Sequence, residues 1–250
     1  MRAIIIGAGR GSRLMPTTEN APKCFAEIQG KRILDWTVDA LRGGGCNEIC
    51  FIGGYRIDAV RRDYRHFIFR ENRDWPNNNI LASLMCAADL MDEPFVTCYS
   101  DTLFTADVVR GLVTSQQELV LGVDTDWREH YRPRTQHPPH DAEKVITGGG
   151  RVERVYRTIP YERATGEFIG VAKLGRTGAR RFRDFYRRRA AEFAGRPYRE
   201  AATFEKAYLI HMFQDMIEQG EVFGHVDTHG RYREIDTQED MNLAQTLWTG

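Results

Sequence analysis

Through its first half the chain alternates short apolar runs with stretches of helical periodicity, and that rhythm restricts its fold more than any other feature. Ala3–Ile6 reads as a strand, Ile33–Leu41 as a helix with Ile33, Thr37 and Leu41 on one face, and Glu48–Ile52 as a strand ending in Gly53-Gly54. Ile57–Tyr64 is helical, His66–Phe69 a short strand, Asn79–Met91 a helix and Phe95–Tyr99 a buried strand. Val108–Val113 is helical again and Leu119–Val123 again a strand. This β-α-β-α order predicts an α/β fold with a mostly parallel sheet flanked by helices. Ligands of such sheets sit beyond the carboxyl ends of the strands. Gly7, Gly53 and Asp101 each follow a predicted strand directly.

After Asp124 the pattern changes. Residues 125–142 (TDWREHYRPRTQHPPHDA) are rich in Pro, Arg, His and aromatics and read as a loop. Lys144–Thr147 and Arg151–Tyr156 flank three glycines, which predicts a hairpin. Glu167–Leu174 reads as a strand, Gly178–Phe193 as an amphipathic helix with Phe182, Phe185 and Phe193 inward, and Ala201–Gln219 as helical. Val222–Val226 and Tyr232–Ile235 are strand-like, and Thr237 opens a last helix with the capping-box pattern TQED. No repeat or linker divides the chain. The expectation is one domain over 1–250, with a first half (1–124) and a second half (125–250) that carries the C-terminal segment.

Composition narrows the class. The 35 basic and 35 acidic residues cancel, which speaks against nucleic acid or a membrane surface as partner, and the Arg-rich helix reads as a solvated face. No apolar run approaches the roughly 20 residues a membrane helix needs, and the N-terminus does not read as a signal peptide. The five cysteines are scattered without CxxC spacing, as expected of buried thiols in a reducing, cytoplasmic setting.

The turn after the first strand is Gly7-Ala8-Gly9-Arg10-Gly11-Ser12. A dinucleotide turn needs a third glycine where Ser12 stands, and an acid closing the second strand; Asp35 and Asp39 fall inside a helix pattern. It is not a Walker loop either, since the Gly-Lys-Ser/Thr ending is missing. Backbone N–H groups of such a turn cradle phosphate oxygens, and Arg10, Arg13 and Lys23 bring charge to neutralise them. The whole stretch GAGRGSRLMPTTENAPKCFAEIQGKRIL resembles the G-x-G-x-R-L-x-P-x-T-x-x-x-P-K signature of the nucleotidyltransferases that activate phosphorylated sugars and alcohols, a Rossmann-like family. SDTLF resembles the family's strand-end metal aspartate, Asp101, and REIDTQEDMNLAQ its second metal aspartate, Asp236. Two carboxylates at such edges suit Mg²⁺, which takes one or two protein carboxylates plus phosphate oxygens and water.

The acceptor divides this family. Sugar-1-phosphate members carry a Glu-Lys pair, whereas here Glu167 is followed by Phe168. The segment NNNILASL resembles the base-contacting segment of choline and phosphonate cytidylyltransferases, which implies Asn79 and Ser83 at the cytosine edge. Beside Tyr208, Leu209, Ile210 and His211 depart from the aromatic and acid of the phosphocholine enzymes. The loop DTDWREHYRPRTQHPPHDAEKV resembles that of phosphonate enzymes, so that Arg128, Arg132, Arg134, His137 and Lys144, with Glu167, are candidate acceptor contacts under a small hairpin and loop insertion.

The resemblance therefore implies a Mg²⁺-dependent CTP:phosphonate (or phosphate monoester) cytidylyltransferase. CTP would lie across Gly7, Ala8, Gly9, Arg10, Gly11, Ser12 and Arg13, with Lys23 and Arg13 as the catalytic cations, and two copies of the chain would pair. Phosphocholine or a sugar-1-phosphate as acceptor, and a non-catalytic nucleotide-binding subunit on the same fold, remain the alternatives.

Overall fold

Ala3, Ile4 and Ile5 are fully buried, and the strand they form, β1 (Arg2–Gly7), lies inside the sheet with neighbours on both sides. In the computed structural model, which describes all 250 residues, the chain continues through β2 (Glu27–Ile28), β3 (Lys31–Arg32), α1 (Ile33–Gly43), β4 (Glu48–Gly53), α2 (Ile57–Asp63), β5 (Ile68–Glu71) and α3 (Ile80–Met85). Next come β6 (Phe95–Tyr99), β7 (Thr102–Phe104), α4 (Ala106–Thr114), β8 (Leu119–Asp124), α5 (Trp127–Tyr131), β9 (Lys144–Gly148) and β10 (Arg151–Val155). The chain ends with β11 (Gly166–Leu174), α6 (Arg176–Phe193), α7 (Leu209–Glu218), β12 (Gly224–Thr228), β13 (Tyr232–Glu234) and α8 (Gln238–Leu247).

The main sheet runs β10-β9-β11-β6-β1-β4-β5, and β8 and β12 extend it from the other side of β11. Strands β6, β1, β4 and β5 are parallel, as is the β8–β12 pair. β11 runs antiparallel to β6, β8 and β9 and joins the two parallel groups. Both faces are covered. Ile4, Ile6 and Ile52 point into a core of 31 residues under α3, α6 and α7. Ala3, Ile5 and Phe51 point into a second core of 23 residues under α1, α2 and α4. Burial on both faces is why these strands read as continuous apolar runs and not as alternation.

Three expectations about local structure differ from what is observed. The helix expected over 79–91 ends at Met85, and Ala88–Leu90 forms a separate 3₁₀ turn whose Ala88 carbonyl accepts from Arg183 Nη1 at 3.2 Å. The helix expected over 201–219 begins only at Leu209. Before it, Phe204 is buried on a 3₁₀ turn, with its N–H held by the Arg196 carbonyl at 2.9 Å. The segment 125–142 holds the short helix α5, anchored by fully buried Trp127. In each case a contact from a remote part of the chain outweighs the local pattern.

A third, smaller core does the positioning. Leu14, Ala26, Ile28, Ile33, Leu103, Ile235, Ala244 and Trp248 pack together, joining the loop after β1, the β2–β3 hairpin, α1, β7 and α8. Beside it β7 and β13 pair antiparallel, with Glu234 opposite Thr102. The Ile235 N–H then donates to the Asp101 carbonyl at 3.0 Å. This ribbon draws the C-terminal Asp236 alongside Asp101.

Candidate active site

The turn after β1 requires glycine at two points. A Cβ on Gly7 would stand 2.6 Å from Phe51 Cζ and 2.8 Å from Ser100 Oγ. Gly11 adopts φ 69°, the left-handed region, and a Cβ there would meet the Lys23 side chain at 2.9 Å. Thr18 Oγ1 donates to the Gly11 carbonyl at 2.8 Å, and the Leu14 side chain inserts into the third core. The loop is thereby closed over Lys23.

Lys23 Nζ donates to Asp101 Oδ2 at 2.8 Å and also to Asp236 Oδ1. Arg13 Nη2 reaches the other oxygen of Asp236 at 2.6 Å. Burial works to lower the Lys23 pKa, but the two carboxylates outweigh it and the net shift is upward, so the ammonium stays charged. Burial likewise works to raise Asp236, yet Lys23 and Arg13 hold its carboxyl below the usual range. Glu234, two residues earlier, is raised well above that range by burial and by the charge of Asp236. Of the two acids, Glu234 is the one its surroundings press toward the protonated form.

His137, Glu234 and Asp236 bring their ligand atoms within 4.8 Å of one another. With Asp101 on the same Lys23, the oxygen donors are of the kind a hard divalent cation takes.

A cleft of about 340 Å³ opens over this centre, a size suited to a small ligand. Its walls include Gly7, Ala8, Gly9, Gly11, Ser12, Arg13, Lys23, Asn79, Ser83, Asp101 and Asp236. Arg10 lies outside them, its guanidinium 5.6 Å from the Tyr55 ring. Asn79 and Ser83 line the cleft with side chains already engaged. Asn79 Oδ1 caps α3 by accepting from the Ile80 N–H at 2.9 Å, and its amide donates to the Lys206 carbonyl at 3.1 Å. Ser83 Oγ accepts from Asn72 Nδ2 at 2.8 Å and donates to the Asn79 carbonyl.

The six residues expected at the acceptor do not line this cleft. Arg128 donates to the carbonyls of Tyr161 and Ala164 at 2.7 and 2.8 Å, and Arg132 pairs with Glu129 on the surface. Arg134 is buried, with Nε on Asp240 Oδ1 at 2.7 Å and its guanidinium 4.7 Å from the Tyr131 ring. His137 sits behind Asp236, Nδ1 to Oδ2 3.5 Å. Lys144 Nζ donates to the carbonyls of Pro139, His140 and Ala142, binding its own loop. Glu167 accepts from Tyr131 Oη at 2.6 Å, and burial pushes its carboxyl up to about 7. Arg128, Arg134 and Glu167 thus tie the 125–145 segment to the rest of the fold. The cleft wall is completed instead by residues that include Tyr99, Glu143, Arg157 and Tyr208. In the sequence Glu143 is masked by the basic residues of the stretch it ends, and Arg157 follows a strand without any motif around it.

Two outcomes follow from these contacts. Lys23→Met leaves Asp101 and Asp236 facing each other with the buried ammonium gone, and should cost about 3 kcal/mol in unfolding free energy. Added Mg²⁺ should offset part of that loss; a variant as stable as the parent in chelator would show that the triad is not held as described. Glu167 keeps its proton in the folded chain to about 7 but gives it up near 4.5 when unfolded. Its contribution is therefore lost as pH rises through that window. Glu167→Gln should unfold at a higher temperature than the parent at about pH 8 and at a similar one near pH 4. An unchanged difference across that range would refute the assignment.

Comparison with known proteins agrees with this geometry. Residues 3–138 match the MobA-like NTP transferase domain. The chain is 29% identical over 255 residues to a CTP:phosphoglutamine cytidylyltransferase of Campylobacter jejuni, covering 97% of this chain and 98% of that one. It is 42% identical over 188 residues to a choline-phosphate cytidylyltransferase of Streptococcus pneumoniae, covering 68% and 80%. The fold superposes with a TM-score of 0.73, at 19% identity, on an inositol-1-phosphate CTP transferase from T. maritima, covering 100% of this chain and 98% of that one. With more than half its length matched and its cations and carboxylates gathered at the glycine turn, the chain belongs to the MobA-like NTP transferase family and is a nucleotidyltransferase.

Proposed function

We propose that the protein is a cytidylyltransferase that moves CMP from CTP to a small phosphonate or phosphate monoester and releases pyrophosphate. The observation that carries the reading is the Lys23 ammonium held between Asp101 and Asp236 in a cleft floored by the glycine turn. Relatives that share most of their length with this chain are named for CTP, which supports cytidine as the base.

In this reading the N–H groups of the turn bind the triphosphate, with Arg13 and Arg10 toward the β- and γ-phosphates and Lys23 at the α-phosphate. The base lies against Ala8, Asn79 and Ser83, which wall the cleft. An acceptor phosphonate or phosphate oxygen attacks the α-phosphorus. The new P–O bond forms as the bond to the bridging oxygen breaks, and that oxygen leaves with its electron pair on pyrophosphate. The attacking oxygen is already ionised near neutral pH, so no general base is needed. Lys23 and Arg13 neutralise charge that grows on the transferring phosphoryl group, and the cleft fixes the line of attack. Mg²⁺, for which Asp101 and Asp236 are the fitting ligands, supplies further charge neutralisation on the phosphates.

The test is pyrophosphate release with CTP, UTP, ATP and GTP against a panel of phosphonates, phosphocholine and glucose-1-phosphate, with Mg²⁺ present. Turnover should require CTP and a small phosphonate or phosphate monoester, and Asp101→Asn should lower kcat on the order of a hundredfold. Turnover confined to glucose-1-phosphate, or full activity in Asp101→Asn, would overturn the reading.

A further inference from the structure

In the transfer reading the acceptor lies by Glu143 and Arg157, an ion pair of the cleft wall that the transfer chemistry does not use. Glu143 is buried, and its Oε2 accepts from Tyr99 Oη at 3.1 Å. Its Oε1 accepts from Arg157 Nη2 at 3.4 Å, a long contact for two opposite charges. The Arg157 Nε is enclosed without a partner, and the Tyr208 side chain stands beside the guanidinium. The Arg157 side chain is nevertheless 34% exposed, and both it and Glu143 line the cleft. Its guanidinium lies 4.1 Å from the centroid of the Tyr208 ring, which fixes its plane. The two other cations of the cleft wall, Arg13 and Lys23, are committed to Asp236 and Asp101. The acceptor end thus presents one anchored cation and one anchored anion side by side, loosely joined.

Resting on the cytidylyl-transfer reading, we propose that this pair selects an acceptor whose tail is an α-amino acid, with its carboxylate on Arg157 and its ammonium on Glu143. Such a tail exchanges one long ion pair for two charge-assisted contacts, leaving neither buried charge alone. A tail with only an ammonium draws Glu143 away and leaves the guanidinium unpaired; a tail with only a carboxylate does the reverse. A quaternary ammonium offers Glu143 no N–H, and the Tyr208 face that would receive it is covered by Arg157. Glu143 is raised above the usual carboxyl range by burial, so an incoming ammonium also favours its ionised form.

Matched acceptors that differ by one group test this. KM is measured with CTP for 2-amino-3-phosphonopropionate against 2-aminoethylphosphonate and against 3-phosphonopropionate, and for phosphoserine against phosphoethanolamine. The amino-acid member of each pair should have a KM at least about tenfold lower. Arg157→Gln should erase the carboxylate preference while leaving the KM for CTP within about twofold, and Arg157→Lys should restore part of it. Equal KM values within each pair for the parent enzyme, or an undiminished preference in Arg157→Gln, would overturn the inference. If Arg157→Gln does not fold, the parent's pairs decide alone. Turnover without carboxylate dependence overturns only this inference, whereas no pyrophosphate release with any nucleotide and acceptor overturns the transfer reading and this inference with it.

Discussion

The ammonium of Lys23 between Asp101 and Asp236 is the contact on which the rest of the site depends. Its three members come from the loop after β1, the end of β6 and the start of α8, far apart in sequence. Two facing carboxylates repel, and the buried cation between them offsets that repulsion at close range. The third core and the β7–β13 ribbon hold the three backbones in register, so the geometry does not depend on a nucleotide being present. A site arranged in advance does not have to reorganise when charge develops on a phosphoryl group.

The same economy separates the two ends of the cleft. Around the glycine turn Arg13 and Lys23 are tied to Asp236 and Asp101. Arg157 and Glu143 meet in a longer contact, with Tyr99 on the carboxylate and Tyr208 against the guanidinium. The arginines of the 125–145 segment serve a different end. Arg128 and Arg134 spend their donors on carbonyls and on Asp240, which locks α5 and the following loop against β11 and α8.

Much of the fold was legible in the sequence because burial on both faces writes itself as apolar runs. β1, β4, β6 and β8 lie where the pattern places them. The capping box at Thr237 was also readable, since Thr237 and Asp240 exchange hydrogen bonds at the start of α8. β7, three residues long, shows no period to read, although it forms the ribbon that delivers Asp236. Charge in the 125–142 segment read as ligand-binding because composition cannot show that Arg134 meets Asp240, 106 residues away. Arg157 was silent for the converse reason: a single arginine after a strand carries no motif, and its meaning comes only from Glu143 and Tyr208 being folded beside it.

The central claim is that bond breaking occurs at the α-phosphorus of a nucleotide lying over Lys23. Turnover with CTP labelled separately at the α- and γ-phosphates addresses it most directly. The account predicts that the α-label moves quantitatively into the acceptor conjugate and the γ-label into pyrophosphate. A γ-label found on the acceptor, with the α-label left in CDP, would contradict it and make the cleft a kinase site.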